Sequence, residues 1–256
     1  MFKYAIVRIP GSNFADGLTT VNLGVPSHNR VLAQHSSYCD ALRSCGLDVT
    51  TLEADLHHPD STFVEDTAIL TRRGAILARP GAATRAGEVE AIGSAIERFY
   101  PSTLSIQSPG TVDGGDICEA ENHFFIGLSR RTNDAGARQL ALHFADLGYT
   151  SSVIDVRGMK TILHLKSGIS FIGENTLVVI EEIAEMDAFR KFDRIVVAPE
   201  ESYAANCVRV NDRVLTAAGF PRFTAELEAH GFRPLILDMS EFRKMEGGLS
   251  CLSLRF

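Results

Sequence analysis

The sequence has 256 residues, 45% hydrophobic and 22% charged, and its 25 Lys and Arg against 32 Asp and Glu give a formal net charge of −7. This acidic balance argues against binding of nucleic acid or an anionic membrane surface, which needs a basic footprint, and it suits a small cationic ligand. The length exceeds the roughly 150 residues of a common domain, so it allows two domains or one large one.

The cysteine pattern and the apolar runs restrict the class of protein further. The five cysteines are scattered and include no Cys-x-x-Cys pair, so we expect neither a disulfide framework nor a zinc ribbon. No apolar stretch approaches the roughly 18 uncharged residues of a membrane-spanning helix, and Arg8 interrupts the short apolar run at the start, unlike a secretory signal. We therefore expect a cytoplasmic protein without a membrane partner.

The predicted elements alternate between strands and helices along the chain. Helices are predicted from apolar residues three and four positions apart, and hairpins from eleven-residue segments in which two β-rich arms flank a polar centre. In chain order the elements are a strand at 3–9, a helix at 29–46 and a strand at 47–52; a hairpin at 68–78, a helix at 87–99 and a strand at 104–107; a hairpin at 117–127, a helix at 134–148 and a strand at 151–156; a hairpin at 169–179, a helix at 182–192 and a strand at 194–198; a hairpin at 207–217, a helix at 222–231 and a strand at 234–238; and a strand at 251–256.

These elements form a repeat. The hairpins start roughly 40 to 50 residues apart, a period typical of repeat architectures. Four units are complete, and the fifth is completed if the strand at 251–256 pairs with the strand at 3–9, which leaves no unprotected sheet edge. The sequence therefore predicts one α/β domain over residues 1–256, a five-bladed propeller of ββαβ modules with pseudo-fivefold symmetry, closed by its two terminal strands.

In such a ring, the segments that precede the inner strands converge near the axis. These segments are 60–67, 110–116, 162–168, 200–206 and 245–251. A single Cys, His or Asp is usually a structural residue, but a cysteine, a histidine and several carboxylates at equivalent places in different modules indicate an active site.

The residue types in these segments favour nucleophilic catalysis on a cationic substrate. Cys251 and His164, with a carboxylate that orients the histidine, form the set that attacks an electrophilic carbon, and both Asp113 and Asp116 lie in one of these segments. Further carboxylates nearby, such as Glu65 and Asp66, raise the pKa of a thiol and weaken it as a nucleophile. They make sense if the substrate brings a positive charge, and a planar guanidinium matches carboxylates pairwise.

Six motifs closely resemble the dimethylarginine dimethylaminohydrolase family, which belongs to the guanidine-modifying, or pentein, superfamily. They are PDSTFVED (59–66), TVDGGD (111–116), FFIGLSRRTN (124–133), LHLKSG (163–168), PEESYAANC (199–207) and GGLSCLSLRF (247–256). The similarity extends from end to end, and the superfamily fold is a five-bladed α/β propeller, the architecture that the repeat predicts.

The resemblance implies an activity and catalytic roles. The expected reaction converts dimethyl- or monomethylarginine to citrulline and an amine through a covalent thiouronium on a cysteine. Cys251 is then the nucleophile, His164 the general acid and base, and Asp113 the carboxylate that orients His164. Bacterial members tend to have glutamate where this chain has Asp113. The resemblance implies no metal and no organic cofactor.

The same resemblance assigns residues to substrate binding. Glu65 and Asp66 are expected to hold the guanidinium. Arg85 and Arg131 are expected to bind the α-carboxylate of the substrate. The α-amino group is expected to contact Asp60 and the backbone carbonyls of Leu18 and Met245, and Leu18 follows a glycine-containing stretch, 11–17, that suits a lid.

Two other functions are consistent with the sequence. One is a sibling activity, an arginine deiminase or a citrulline-type hydrolase, because pocket shape decides between guanidine substrates. The other is a non-catalytic binding protein on the same propeller, which the Cys, His and carboxylate set disfavours. The sequence is compatible with a homodimer but does not determine the oligomeric state.

Overall fold

The computed structural model describes residues 1–256 and contains fifteen strands in five three-stranded sheets. The strands are β1 Tyr4–Arg8, β2 Asp48–Leu52, β3 Ala68–Thr71, β4 Gly74–Leu77, β5 Thr103–Ser105, β6 Ile117–Ala120, β7 His123–Leu128, β8 Thr150–Asp155, β9 Ile169–Phe171, β10 Thr176–Ile180, β11 Asp193–Val197, β12 Val208–Val210, β13 Arg213–Ala217, β14 Pro234–Leu237 and β15 Leu254–Arg255. The helices are α1 His28–Ser44, α2 Glu88–Ile96, α3 Asp134–Asp146, α4 Glu181–Ala184, α5 Pro221–Ala229 and α6 Ser240–Arg243.

Each sheet has the same topology. An inner strand runs antiparallel to the middle strand in a hairpin, and the chain then returns through a helix to add the outer strand parallel to the middle one. In the fifth sheet, the order is β15-β1-β2, with Ala5 opposite Arg255 and Ile6 opposite Leu254. The prediction of five ββαβ modules closed by the two terminal strands is therefore confirmed.

The helix predicted at 182–192 is much shorter in the structure. α4 ends at Ala184, and Met186 has extended backbone angles before a 3-10 turn at Asp187–Phe189. The interruption lets both Ile183 and Phe189 reach the core, where each is fully buried, and a single straight helix does not achieve this.

The main core lies between the middle strands and the helices that cover the sheets. β10 is buried along its whole length, as expected for a strand that is covered on both faces. The outer strands are more open, because Val153, Val196 and Ile236 at their centres are about half exposed. None of the helices is long and apolar enough to cross a membrane.

The active-site segments share one local structure. Each of the five segments expected near the axis contains a 3-10 turn just before its inner strand: Val64–Thr67, Gly114–Asp116, Leu165–Ser167, Pro199–Ala205 and Ser250–Leu252. The first four turns contact one another in chain order, and the first turn also contacts the last. The turns therefore bring side chains from distant parts of the sequence together at one end of the axis.

Candidate active site

The turns surround a small cavity of about 50 Å³ that contains the two side chains expected to perform the chemistry. Cys251 and His164 both line it, together with Glu65, Tyr203 and Glu246. Cys251 is half-buried, whereas His164 is 8% exposed. The residues predicted as nucleophile and general acid or base therefore share one cavity.

A glycine pair explains how the turn at Gly114–Asp116 fits against its neighbours. A Cβ on Gly114 would lie 1.9 Å from the carbonyl oxygen of Glu65, which is far inside van der Waals contact. A Cβ on Gly115 would lie 3.0 Å from the imidazole of His164. The close approach of these three turns therefore requires glycine at Gly114.

His164 and Asp113 form the predicted pair. His164 Nε2 lies 3.0 Å from Asp113 Oδ2, and Asp113 Oδ1 accepts the backbone N–H of Gly81 at 2.7 Å. Asp113 is 1% exposed, so its carboxylate is held on both sides in a dry environment. Aspartate at this position is thus long enough to orient His164.

The charge around His164 favours its protonated form. Burial alone would lower the pKa of His164, but the negative charges of Asp66 and Asp116 and the hydrogen bond to Asp113 raise it to about 10. The imidazole therefore carries a proton near neutral pH.

Cys251 is a protonated thiol near neutral pH in the ligand-free cavity. Burial, followed by the negative charges of Glu65 and Asp66, raises the pKa of its thiol to about 12. Two groups oppose this effect, because the N–H of Gly248 donates to Cys251 Sγ at 3.4 Å and Lys166 contributes a positive charge. The balance predicts a thiol that needs a further positive charge to become a thiolate.

We expect alkylation of Cys251 by iodoacetamide to accelerate with pH and to reach no plateau below about pH 11 in the ligand-free protein, because only the thiolate reacts and the pKa is raised to about 12. The measurement is the rate constant of alkylation between pH 6 and 11, read by mass spectrometry of the Cys251 peptide. As a control, Glu65→Gln removes one negative charge, so it lowers the pKa and speeds alkylation at any given pH. A plateau near pH 7 in the unmodified chain would show instead that the thiolate exists before any ligand binds.

Glu65 faces the cavity and is partly engaged. Its Oε2 accepts a hydrogen bond from Ser250 Oγ at 2.7 Å, and its Oε1 forms an ion pair with Lys166 Nζ. Arg255 also lies 3.8 Å from Oε1. Because an ionised carboxylate offers about four acceptor sites, these contacts leave capacity for the N–H groups of a ligand.

Asp66 lies next to Glu65 in the chain but has different partners. Its Oδ1 accepts the N–H of Gly115 at 2.8 Å, and its Oδ2 pairs with Arg85 at 2.5 Å. Burial opposes ionisation of Asp66, but the positive charges of His164 and Arg85 lower its pKa below the ordinary value. Asp66 is thus an ionised group that stabilises the imidazolium of His164, and its direct contact with a guanidinium stays a prediction.

Arg85 has an environment that the sequence does not predict. It is 5% exposed, and it donates to Asp66, to Glu88 and to the carbonyl oxygens of Asp60 and Phe63. Removing one partner of such a buried ion pair typically costs about 3–5 kcal/mol. In this conformation Arg85 braces the turn that holds Asp66, and its contact with an α-carboxylate stays a prediction.

Three other predicted binding residues, Asp60, Leu18 and Arg131, lie near one another. Asp60 is 7% exposed and accepts the N–H of Leu18 with both carboxylate oxygens, at 3.1 and 3.2 Å. Burial raises the pKa of Asp60, while the positive charges of Arg85 and Arg131 oppose the shift. Arg131 is half-buried and forms no ion pair, so its guanidinium is free to meet an anionic group near Asp60.

The segment expected to act as a lid is tied to the loop that precedes Cys251. Glu246 accepts the N–H of Thr20 at 2.6 Å and its hydroxyl at 3.0 Å. Met245, the neighbour of Glu246, is buried, and Leu18 is 40% exposed at the edge of the lid. The backbone groups of Leu18 and Met245 thus lie on two segments that these hydrogen bonds hold together.

Several residues of the site were not assigned a role from the sequence, among them the following four. Lys166, Asn206 and Tyr203 line the cavity, and Ser250 bonds to Glu65. Lys166 and Ser250 belong to motifs that also contain predicted residues, LHLKSG and GGLSC, whereas Tyr203 and Asn206 belong to PEESYAANC, which contains none. Their motif membership was the only available signal, because their function depends on partners from other blades.

One cluster is close enough for a metal ion. Ligand atoms of Asp66, Asp113 and His164 lie within 4.8 Å of one another. Asp66 is already paired with Arg85, and His164 is hydrogen-bonded to Asp113. The cationic neighbour Arg85 opposes a metal ion there, so this arrangement suits proton transfer better than metal binding.

Known proteins resemble this chain over its full length. The family model of arginine deiminase matches residues 56–219. The dimethylarginine dimethylaminohydrolase of Pseudomonas aeruginosa is 44% identical, with 100% of both chains covered, and that of Streptomyces coelicolor is 36% identical over 99% of this chain and 96% of its own.

Solved structures agree with these sequence matches. A cysteine-to-serine variant of the Pseudomonas aeruginosa enzyme, complexed with citrulline, superposes with a TM-score of 0.97 at 44% identity and covers 100% of both chains. The N-terminal domain of ArgZ, an arginine dihydrolase of cyanobacteria, shares the fold with a TM-score of 0.87 at 18% identity, covering 100% of this chain and 97% of that one. The chain belongs to the dimethylarginine dimethylaminohydrolase family.

Proposed function

We propose that this protein hydrolyses Nω,Nω-dimethyl-L-arginine, and also Nω-monomethyl-L-arginine, to L-citrulline and the corresponding amine. The observation that carries the proposal is the thiol of Cys251 in one cavity with Glu65 and with a protonated histidine. Only a cationic substrate turns this set into a nucleophile beside an acid. The relatives with 44% and 36% identity carry the name of this activity.

Binding is the first step of the proposed mechanism. The guanidinium enters beside Glu65, whose carboxylate keeps free acceptor capacity. The positive charge of the substrate offsets the carboxylates that raise the pKa of Cys251, so the thiol loses its proton to solvent and becomes a thiolate. Arg131 and Asp60 receive the α-carboxylate and the α-amino group at the mouth of the site, the latter with the carbonyls of Leu18 and Met245.

The first chemical half forms the covalent intermediate. The Cys251 thiolate attacks the guanidinium carbon, and a C–S bond forms. His164 then donates its proton to the methylated nitrogen, the C–N bond breaks, and neutral dimethylamine departs. An S-alkylthiouronium remains on Cys251, and His164, now neutral, keeps its contact with Asp113.

The second half regenerates the protein. Water attacks the thiouronium carbon while His164 takes one of its protons. The C–S bond then breaks, the second proton of that water passes to the departing sulfur, and citrulline leaves Cys251 as a neutral thiol. Asp113 and Asp66 stabilise the imidazolium that forms, because both carboxylates act on His164. The reaction requires no metal ion or organic cofactor in this scheme.

A second activity, deimination of arginine itself, is favoured by one observation. The family model that matches residues 56–219 is that of arginine deiminase, and the same nucleophile and acid could act on an unmethylated guanidinium. The size of the pocket around the leaving nitrogen decides between the two substrates.

We expect asymmetric dimethylarginine and monomethylarginine to be hydrolysed with a kcat/KM at least about tenfold above that of arginine, a ratio that a pocket built for one or two methyl groups can supply. The measurement is citrulline formation with the three substrates side by side, at equal concentrations of protein. The Cys251→Ala variant serves as the blank. A preference for arginine would replace the proposed activity with the deiminase activity.

Two statements about the protein in the cell extend this proposal. A cytoplasmic location suits an enzyme with a reduced, catalytic cysteine. A homodimeric assembly also stays a prediction, and light scattering of the purified chain tests it directly.

A further inference from the structure

A closed ring of hydrogen bonds forms part of the wall of the cavity. Asn206 bonds to Ser250 and to the backbone of Lys166, Ser250 bonds to Glu65, and Glu65 pairs with Lys166. These four residues come from four different blades of the propeller. The ring therefore joins parts of the site that the sheets do not connect directly.

Asn206 uses its whole amide group in this ring. Its Oδ1 accepts the backbone N–H of Ser250 at 3.0 Å, and its Nδ2 donates to Ser250 Oγ at 3.0 Å and to the carbonyl of Lys166 at 2.8 Å. Asn206 is 8% exposed. A rotated amide would place its N–H groups against the N–H of Ser250, so the partners determine one orientation.

The two partners of Asn206 stand next to the catalytic residues. Ser250 directly precedes Cys251, and Lys166 follows His164 by two positions. Asn206 thus connects the turn that carries the nucleophile to the turn that carries the acid and base. The link is short and buried, which limits relative movement of the two turns.

The loop before Cys251 packs directly on the same amide. A Cβ on Gly248 would lie 2.3 Å from Asn206 Oδ1, so the loop and the amide are in contact. Gly248 is also the residue whose N–H donates to Cys251 Sγ. Nearby, Tyr203 donates its hydroxyl to the carbonyl of Gly247 at 2.7 Å and holds the other end of the loop.

The ring also orients the carboxylate that faces the ligand. Ser250 Oγ donates to Glu65 Oε2 while it accepts from Asn206 Nδ2. Because Asn206 Nδ2 donates to the hydroxyl oxygen of Ser250, the hydroxyl proton of Ser250 points to Glu65. The remaining acceptor sites of Glu65 are then available to a guanidinium.

We propose that Asn206 is a positioning residue, which acts through Ser250 and Lys166 to fix the relative positions of Cys251, His164 and Glu65. The proposal rests on the proposed function for its kinetic consequences. Misplacement of reacting groups by about 1 Å costs on the order of 100-fold in rate. Loss of the ring should therefore lower kcat far more than it changes KM.

Three variants and a matched control test this role. We expect Asn206→Ala to lower kcat for dimethylarginine about 100-fold, with KM within about threefold. Ser250→Ala keeps the backbone N–H bond to Asn206 but removes the hydroxyl on Glu65, so it should raise KM about tenfold and lower kcat less. The control is Asn211→Gly, which removes three side-chain hydrogen bonds to Phe2 and Cys45 far from the cavity, at a positive φ that glycine tolerates.

Asn206→Asp separates hydrogen bonding from packing, because its side chain has nearly the same shape. An ionised carboxylate cannot donate to the carbonyl of Lys166, whereas a protonated one can. The ratio of its kcat to that of the unmodified protein should therefore rise as the pH falls from 8 to 5. A ratio that stays constant between pH 8 and 5 would contradict a role for the hydrogen bond that Asn206 donates.

The outcomes distinguish this proposal from the proposed function. If Asn206→Ala and Asn211→Gly lose similar amounts in Tm and both keep kcat within about twofold, Asn206 is only structural and the proposal is wrong. If the unmodified chain does not hydrolyse dimethylarginine, the proposed function fails, and alkylation of Cys251 by iodoacetamide at pH 9 still tests the positioning. Alkylation should then be about threefold slower in Asn206→Ala, because the Gly248 N–H no longer supports the thiolate, and an unchanged rate would overturn the proposal.

Discussion

Cys251→Ser should lower the rate of citrulline formation from dimethylarginine by at least about 10⁴-fold, the scale seen when a catalytic nucleophile is removed. A serine hydroxyl has a far higher pKa than a thiol, and the carboxylates that already raise the pKa of Cys251 to about 12 would oppose an alkoxide even more strongly. The measurement is steady-state citrulline production with the purified variant. Binding of substrate should survive, because Glu65, Asp60 and Arg131 are unchanged.

The chain provides a matched control for this variant. Cys207 is also an unpaired cysteine beside an inner strand, but it is 2% exposed and belongs to the core. Cys207→Ala should keep kcat within about threefold, while its Tm falls because the substitution leaves a small cavity. If Cys251→Ser retains a substantial fraction of the activity, the thiol is not the nucleophile and the mechanism proposed above is wrong.

His164→Gly should lower kcat by about 10³-fold or more, since general acid and base catalysis each contribute about 10²–10⁴-fold and this residue serves both halves of the proposed mechanism. In that mechanism the imidazole, with its pKa raised to about 10, donates a proton in the first half and accepts one in the second. A substrate analogue with a methylthio group in place of the methylated nitrogen needs no proton for departure. With this analogue the variant should form the covalent thiouronium on Cys251 and fail to hydrolyse it.

Intact-protein mass spectrometry measures the trapped adduct directly. The control is His143→Gln, because His143 lies on α3 with its Nε2 near the carbonyl of Ser105 and takes no part in the cavity. It should neither trap the adduct nor change kcat by more than about twofold. Rapid turnover of the adduct by His164→Gly would assign the base of the second half to another residue.

The prediction of the fold was confirmed because each repeat can be recognised from the local residue patterns of its hairpin and its helix. Each hairpin alternates β-rich arms around a polar centre, and residues such as Asn211 and Glu174 adopt the positive φ that a tight turn requires. The helix at 182–192 was wrong in length, because the burial of Ile183 and Phe189 together outweighs helical continuity. The spacing of apolar residues along the chain does not show where packing against the sheet interrupts a helix.

The structure brings the predicted catalytic residues together, and their roles stay predictions. Cys251, His164 and Asp113 meet because the turns before the inner strands converge, as expected from the ring. Arg85 shows the limit of the approach, since its guanidinium bonds with Glu88 and Asp66 depend on how α2 packs against the turn at Val64–Thr67. The motif that contains an arginine does not show which of several nearby carboxylates will form an ion pair with it.

The sequence by itself determined the five-bladed architecture, the match between the carboxylates of the site and a cationic substrate, and the three residues expected to carry the chemistry. The architecture and the charge of the site rest on periods along the chain and on residue type, and the catalytic roles rest on the resemblance of short motifs to a known family. All of these features are local in the sequence. The tertiary structure alone decided that Asp66 is paired with Arg85, that the pKa of His164 lies near 10, and that Asn206, Ser250, Glu65 and Lys166 close a ring. Those properties depend on distances between blades and on exclusion of water, and both arise only when the ring has closed.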